Sequence, residues 1–195
     1  MALDGLLQIV GMERDERILL AATDLFYSRG FDAVGVDMIG VEAGVTGPAI
    51  YRHFKGKDEI LATLFDRAVD ALLIRIGGEF ETPQAELEHL VVAHATFVIE
   101  HRKLARIWAR EDRSLSQPYR TTHQRRERHY VNRWSECLGR CFPQRDEIEL
   151  AAATAAALGL LNSVGDWPQG ARRLDDLPGF LAGMVHAALD SLASD

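Results

Sequence analysis

Apolar residues recur at three- and four-residue intervals along most of the chain, and no β-branched alternation extends over five or more residues. That periodicity belongs to amphipathic helix rather than strand. One stripe is Ile18, Ala21, Ala22, Leu25 and Phe26; a second is Ile60, Leu61, Leu64, Phe65, Ala68, Val69, Leu72 and Leu73. A third is Leu87, Leu90, Val91, His94, Phe97, Val98 and His101. The spacing predicts helices over about residues 14–28, 36–43, 48–53, 57–76, 84–102, 104–112, 118–142, 145–164 and 178–192. About nine helices and no strand make an all-α fold. Gly30 and Gly77-Gly78 stand just past two helix ends, where a glycine caps well. Asp58 and Glu59 occupy a first turn, where the helix dipole favours acids.

Composition narrows the class. The 195 residues suit one domain or a domain with a small appendage. An apolar share of 47% and a charged share of 26% are those of a globular chain and exclude disorder or a disulfide-built miniprotein. Lys and Arg number 22 against 29 Asp and Glu, a net charge of −7, so any contact with a polyanion must come from a local basic patch. Cys137 and Cys141 are too few for a disulfide framework, and their spacing on one helix face is unlike a closed zinc site. His94 and His101 lie two turns apart and His123 and His129 do not share a face, so neither metal nor cofactor is expected. No uninterrupted apolar run reaches the roughly 18 residues of a membrane span. Residues 1–12 lack a basic flank before their apolar positions, unlike a secretory signal, so a cytoplasmic protein without a membrane partner is expected. No Ser/His/Asp set, Gly-rich phosphate loop or zincin motif stands out, and an enzyme is not expected; His94, Glu100 and His101 are the acid-base candidates clustered in sequence.

Residues 36–57, VDMIGVEAGVTGPAIYRHFKGK, carry the strongest signal. Two short helices are joined by Ala43-Gly44-Val45-Thr46. A helix-turn-helix needs such a short turn, often with glycine in it. Gly44 can adopt the left-handed turn conformation, Gly40 is small where the second helix passes, and Ile39, Val45 and Ile50 are apolar where the helices meet. Thr46 can cap the second helix and Pro48 suits its first turn. Residues 46–57 hold Arg52, Lys55 and Lys57 and no acid, with Tyr51 and His53 as further donors. Such side chains contact phosphates.

The flanking pattern resembles the TetR family of bacterial transcriptional regulators. The matching residues are Ile18-Leu19-Leu20-Ala21-Ala22, Leu25-Phe26, Arg29-Gly30-Phe31, Val36, Ile39, Ala43-Gly44-Val45, Ile50-Tyr51-Arg52-His53-Phe54 and Lys57. The resemblance implies a dimeric, ligand-responsive regulator, most often a repressor. It divides the chain into an N-terminal arm (1–12), a DNA-binding helix-turn-helix domain (13–57) and an effector-binding and dimerisation domain (58–195). Thr46, Tyr51, His53 and Lys57 are expected at phosphates of a palindromic double-stranded operator; Gly47, Pro48, Ala49 and Arg52 are expected on or near the exposed start of the recognition helix. Two departures stand out. Gly35 and Asp37 replace the usual cap and basic residue, and Gly47-Pro48-Ala49 offers few side chains for bidentate base contacts.

The remaining helices offer an effector site and an interface. Phe97, Val98, Ile107, Trp108, Tyr119, His123, Arg126, Tyr130 and Trp134 are candidate pocket residues, either as lining or as plain core. Arg102, Arg106, Arg110, Arg113, Arg125, Arg126 and Arg128 serve either as surface ion pairs or as an anchor for an anionic group. With the aromatics they suggest a fatty acid or acyl-CoA, in keeping with a lipid-linked branch of the family. Ala152, Ala156, Gly159, Leu160 and Ser163, with Phe180, Leu181, Met184, Val185, Ala188 and Leu189, read as a homodimer interface. The alternative is a DNA-binding architectural or cell-division factor without an effector.

Overall fold

The computed structural model describes residues 13–193, and among these residues the fold is all helical with no strand. The N-terminal arm expected over residues 1–12 lies outside the described residues. The helices are α1 (Arg14–Arg29), α2 (Val36–Ala43), α3 (Gly47–Ile50), α4 (Lys57–Arg75) and α5 (Pro83–Glu100). They continue with α6 (Arg102–Glu111), α7 (Tyr119–Cys141), α8 (Glu147–Ser163) and α9 (Leu177–Asp190). Short 3-10 turns follow α6, α8 and α9.

Two compact units result. The first holds the chain up to Asp66 together with Ile107–His123; the second holds Arg67–Arg106 and the chain from Gln124 onward. The packing boundary thus falls at Asp66 rather than residue 57, and a later segment joins the first unit. Burial explains this: Ile60, Leu61, Leu64 and Phe65 of α4 belong to the core of the first unit, as do Ile107 and Leu115.

In the first unit α1 buries Ile18, Leu19, Ala21, Ala22, Leu25 and Phe26. It packs on α2, which packs on α3. Gly30 ends α1 at φ 80°, ψ 159°, its N–H donating to the Phe26 carbonyl. Gly44 ends α2 in the left-handed region at φ 65°, ψ 36°. The recognition helix is shorter than residues 48–53. Its α-helical part stops at Ile50, whose carbonyl then accepts from both His53 N–H (2.8 Å) and Phe54 N–H (2.9 Å), tightening the chain into a turn.

In the second unit α9 packs against α5 and α8. The helix starts are well capped. Thr82 Oγ1 accepts from Ala85 N–H at 3.1 Å, and Asp146 and Glu149 form a reciprocal capping box on α8. Asp176 accepts from Gly179 N–H at 2.9 Å at the start of α9. Glu86 is 6% exposed, and its carboxylate pairs with both Arg133 and Arg140 of α7. The Arg75–Glu100, Arg106–Asp166 and Arg126–Asp70 pairs link residues far apart in sequence. The arginines therefore find partners across elements rather than only four residues along their own helix.

The interface set divides by burial. Leu181, Val185 and Leu189 recur every four residues on the inner face of α9 and are at most 4% exposed. Within the single chain they are buried, because α9 turns that stripe toward α5 and α8, and Val185 and Leu189 also line the groove between α8 and α9. Phe180, Met184 and Ala188 stand exposed on its other side, as do Ala152, Ala156, Gly159 and Ser163 of α8. An apolar groove of about 460 Å³ runs between the two helices, lined by Ala152, Ala156, Leu160 and Ala188 among others. Glu147–Asp166, 20 residues with a mean hydropathy of 1.4, is long and apolar enough to cross a membrane by length and composition. The uninterrupted-run count missed it because polar residues interrupt an otherwise alanine- and leucine-rich helix. Its exposed apolar residues include Ala152 and Ala156 on the groove face and Ile148 outside it.

Candidate nucleic-acid interface

The first unit builds a helix-turn-helix from close backbone packing. Val45 N–H donates to the Gly40 carbonyl at 2.9 Å. A Cβ on Gly40 would lie 3.0 Å from the Val45 carbonyl oxygen and 3.4 Å from Ile50 Cδ1, so glycine lets α3 approach α2 closely. Ile39 and Ile50 are fully buried between them. Thr46 stands at the start of α3 in an extended conformation, but its side chain makes no capping hydrogen bond; its carbonyl accepts from Ala49 N–H (2.9 Å) and Ile50 N–H (3.2 Å) instead. Gly35 likewise starts α2 without a side-chain cap.

Exposure sorts the expected contact residues. Thr46, Pro48, Tyr51, Arg52 and His53 are exposed, Tyr51 at 59%, and Gly47 and Lys57 are half-buried. Phe54 goes inward. Ala49 is 6% exposed, so it packs against the unit instead of standing on the open start of α3. One α-helical step separates it from Pro48, and that step turns its methyl to the inner side. Asp37 is exposed in the first turn of α2, with its Oδ1 3.0 Å from where a Cβ on Gly47 would stand.

Lys57 has an internal role as well. Its Nζ donates to the Phe31 carbonyl at 3.0 Å and lies 4.3 Å from the centre of the Phe31 ring. The Phe31 N–H donates to Glu111 Oε1 at 3.2 Å, and Ser114 Oγ donates to Glu111 Oε2 at 2.9 Å. One peptide segment after α1 is therefore held at its carbonyl by α4 and at its N–H by α6. Glu111 escaped sequence reasoning because eighty positions separate it from Phe31 and no local pattern marks that pairing.

The candidate effector residues fall in two groups. In the first unit Phe65, Trp108 and buried His123 cluster, with ring centres 4.9–5.5 Å apart. Ile107 is buried beside them in sequence, and Tyr119 is half-buried at the start of α7. In the second unit Phe97, Val98, Tyr130 and Trp134 are buried, and Arg126 pairs with Asp70. A polar cluster joins them, in which His94 and Asn162, not assigned to the site by sequence, meet Tyr130. His94 Nδ1 lies 2.6 Å from the Tyr130 hydroxyl and its Nε2 lies 3.0 Å from Asn162 Oδ1. The amide oxygen accepts from Nε2–H, so Nδ1 accepts from the Tyr130 hydroxyl. Burial pushes the His94 imidazole down to about 4, only partly opposed by the Asn162 hydrogen bond, and keeps the ring neutral. Burial likewise pushes the Tyr130 phenol up. The Cys137 thiol rises to about 12, mainly through burial, and Cys141 rises for the same chief reason. Neither is an activated thiol.

The comparisons with known proteins agree with this architecture. The family described as "Bacterial regulatory proteins, tetR family" matches residues 18–64, and "Tetracyclin repressor-like, C-terminal domain" matches residues 81–189. The chain is 36% identical over 95 residues to the HTH-type transcriptional activator FasR of Mycolicibacterium smegmatis, covering 46% of this chain and 43% of that protein. It is 36% identical over 91 residues to the HTH-type transcriptional repressor KstR2 of the same organism, covering 46% of this chain and 44% of that one. The matched stretch spans less than half the length of either relative. Among solved structures, AibR in complex with isovaleryl coenzyme A and operator DNA shares the fold at a TM-score of 0.77 and 21% identity, over 90% of this chain and 97% of that one.

Proposed function

The chain belongs to the TetR family of bacterial regulatory proteins, and from that premise we propose that it is a dimeric, ligand-responsive DNA-binding transcriptional regulator. The observation that carries the reading is the close-packed helix-turn-helix, with Tyr51, Arg52 and His53 exposed together at the end of the recognition helix. Two such units about 34–36 Å apart read a palindrome. The exposed face of α8 and α9 supports the pairing of two copies, since its small residues let helices approach.

The regulator is a repressor on this reading, as KstR2 is by name; FasR is by name an activator, so the sign is the part that experiment decides. The effector is a fatty acid or acyl-CoA. Support comes from buried aromatics with the neutral His94–Tyr130 pair and from the isovaleryl coenzyme A of AibR. Binding would favour the DNA-incompetent arrangement by typically 1–3 kcal/mol of coupling. α4, α6 and α7 each continue from one compact unit into the other and supply the covalent path for it. The protein acts in the cytoplasm and catalyses no reaction.

Mobility shift on the DNA flanking its own gene, at two salt concentrations and with isovaleryl-CoA and longer acyl-CoAs, tests the reading. Salt-sensitive, site-specific binding relieved by one ligand is expected. Absence of any specific site at low salt overturns it, and a reporter activated rather than silenced from that site reverses the sign.

A further inference from the structure

Asp37 and Gly47 lie ten positions apart in sequence, yet the fold brings them together. The Asp37 Oδ1 stands 3.0 Å from the Cβ position of Gly47, so the carboxylate borders the space that a side chain at 47 would fill. The opening residues of α3 bring little recognition chemistry of their own: Gly47 is bare, Pro48 is apolar, and Ala49 is buried. Beside the uncapped Thr46 hydroxyl, Asp37 is therefore the charged side chain at the open start of the recognition helix. It is exposed, and no cation among the described residues pairs with it.

We propose that Asp37 reads a base edge and requires cytosine at one position of each operator half-site; the inference rests on the DNA-binding reading above. A carboxylate brought against a polyanion is disfavoured unless a donor meets it. In the major groove guanine N7 and O6 and thymine O4 are acceptors, and adenine sets its N7 acceptor beside its N6 donor. Cytosine N4 offers a donor without an adjacent acceptor on the same base, and Asp accepts from it. The carboxylate thus selects by repulsion as much as by attraction, penalising every base that presents an acceptor to it. The missing side chain at 47 lets the carboxylate take that place.

Selection of bound duplexes from a random pool, with the full chain, tests this. The wild type is expected to enrich a palindrome with an invariant cytosine in each half-site. Replacing that cytosine with thymine should weaken binding about tenfold or more for the wild type and within about threefold for Asp37→Ala. Asp37→Asn, which pairs an acceptor with a donor, should move the preference at that position to adenine, where Asn bonds N6 and N7 together. A merely structural first-turn role would leave base preference unchanged in both variants. Retention of the same cytosine by Asp37→Ala and Asp37→Asn overturns the inference while leaving the regulator reading intact. No enriched sequence with the wild type overturns both.

Discussion

Replacing Gly30 with alanine should harm this protein far more than the same change at Gly44, although both glycines end helices. Gly44 sits at φ 65°, ψ 36°, the left-handed helical region, and a Cβ there would meet nothing within 4 Å. The left-handed conformation costs an alanine about 1–2 kcal/mol. The stiffer unfolded chain offsets about 0.4–1 kcal/mol of that, leaving a net loss of about 1 kcal/mol. Gly30 sits at φ 80°, ψ 159°, a region essentially reserved for glycine, where strain reaches about 3 kcal/mol. A Cβ there would meet Arg110 Nη2 and Glu111 Oε1 at 3.6 Å, ordinary contact, so the loss is conformational. Relieving the strain must move Phe31, whose N–H is bound to Glu111 and whose carbonyl is bound to Lys57. Losing a charge-assisted hydrogen bond adds about 1.5 kcal/mol. With the same unfolded-state offset, Gly30→Ala should cost about 4 kcal/mol. At roughly 2–4 °C per kcal/mol for a chain of this size, the melting temperature should fall by about 12 °C for Gly30→Ala and about 3 °C for Gly44→Ala. Thermal unfolding followed by circular dichroism, checked by urea midpoints, measures both. A Gly30→Ala protein as stable as Gly44→Ala would show that the segment relaxes freely and that its two anchors hold nothing.

Glu111→Ala should weaken operator binding several-fold by freeing the Phe31 segment, whereas Glu111→Gln, whose amide oxygen still accepts from the Phe31 N–H, should bind within about twofold of wild type; equal loss in both would refute the positioning role. His94 titrates at about 4 in the fold against 6.5 in the unfolded chain. Its contribution is therefore complete above pH 6.5 and is lost as pH falls toward 4, when the unfolded chain takes up a proton that the fold refuses. The loss is about 3 kcal/mol at 1.36 kcal/mol per pH unit, and urea midpoints across that range should fall less steeply for His94→Gln. On the exposed face of α8 and α9, Ala156→Glu with Met184→Glu should halve the sedimentation mass while leaving helicity intact. Leu181→Ala, in the core, should instead cost about 2–5 kcal/mol of stability. A double variant that stays at the wild-type mass would remove that face from the interface.

The helices themselves were written locally. Apolar spacing placed all nine with most ends within a residue or two, because the i to i+4 ladder and the side chains that flank it are neighbours in sequence. The two special glycines were equally legible: a helix end that must reverse its chain calls for a residue without Cβ, and Gly30 and Gly44 stand where the stripes stop. Tyr51, Arg52 and His53 were readable as a surface because the basic segment carries no acid. Periodicity could not tell which face of a doubly apolar helix turns inward, and packing on α5 and α8 decided that Leu181, Val185 and Leu189 are buried within the chain while Phe180 and Met184 stand outside. Nor could it show that Lys57 and Glu111 grip the same peptide segment, that Glu86 is buried between two arginines, or that Asp37 borders the space left open at Gly47. Each of these depends on residues ten to eighty positions apart meeting in space. Such meetings follow from how whole helices pack, and no local stretch of sequence encodes them.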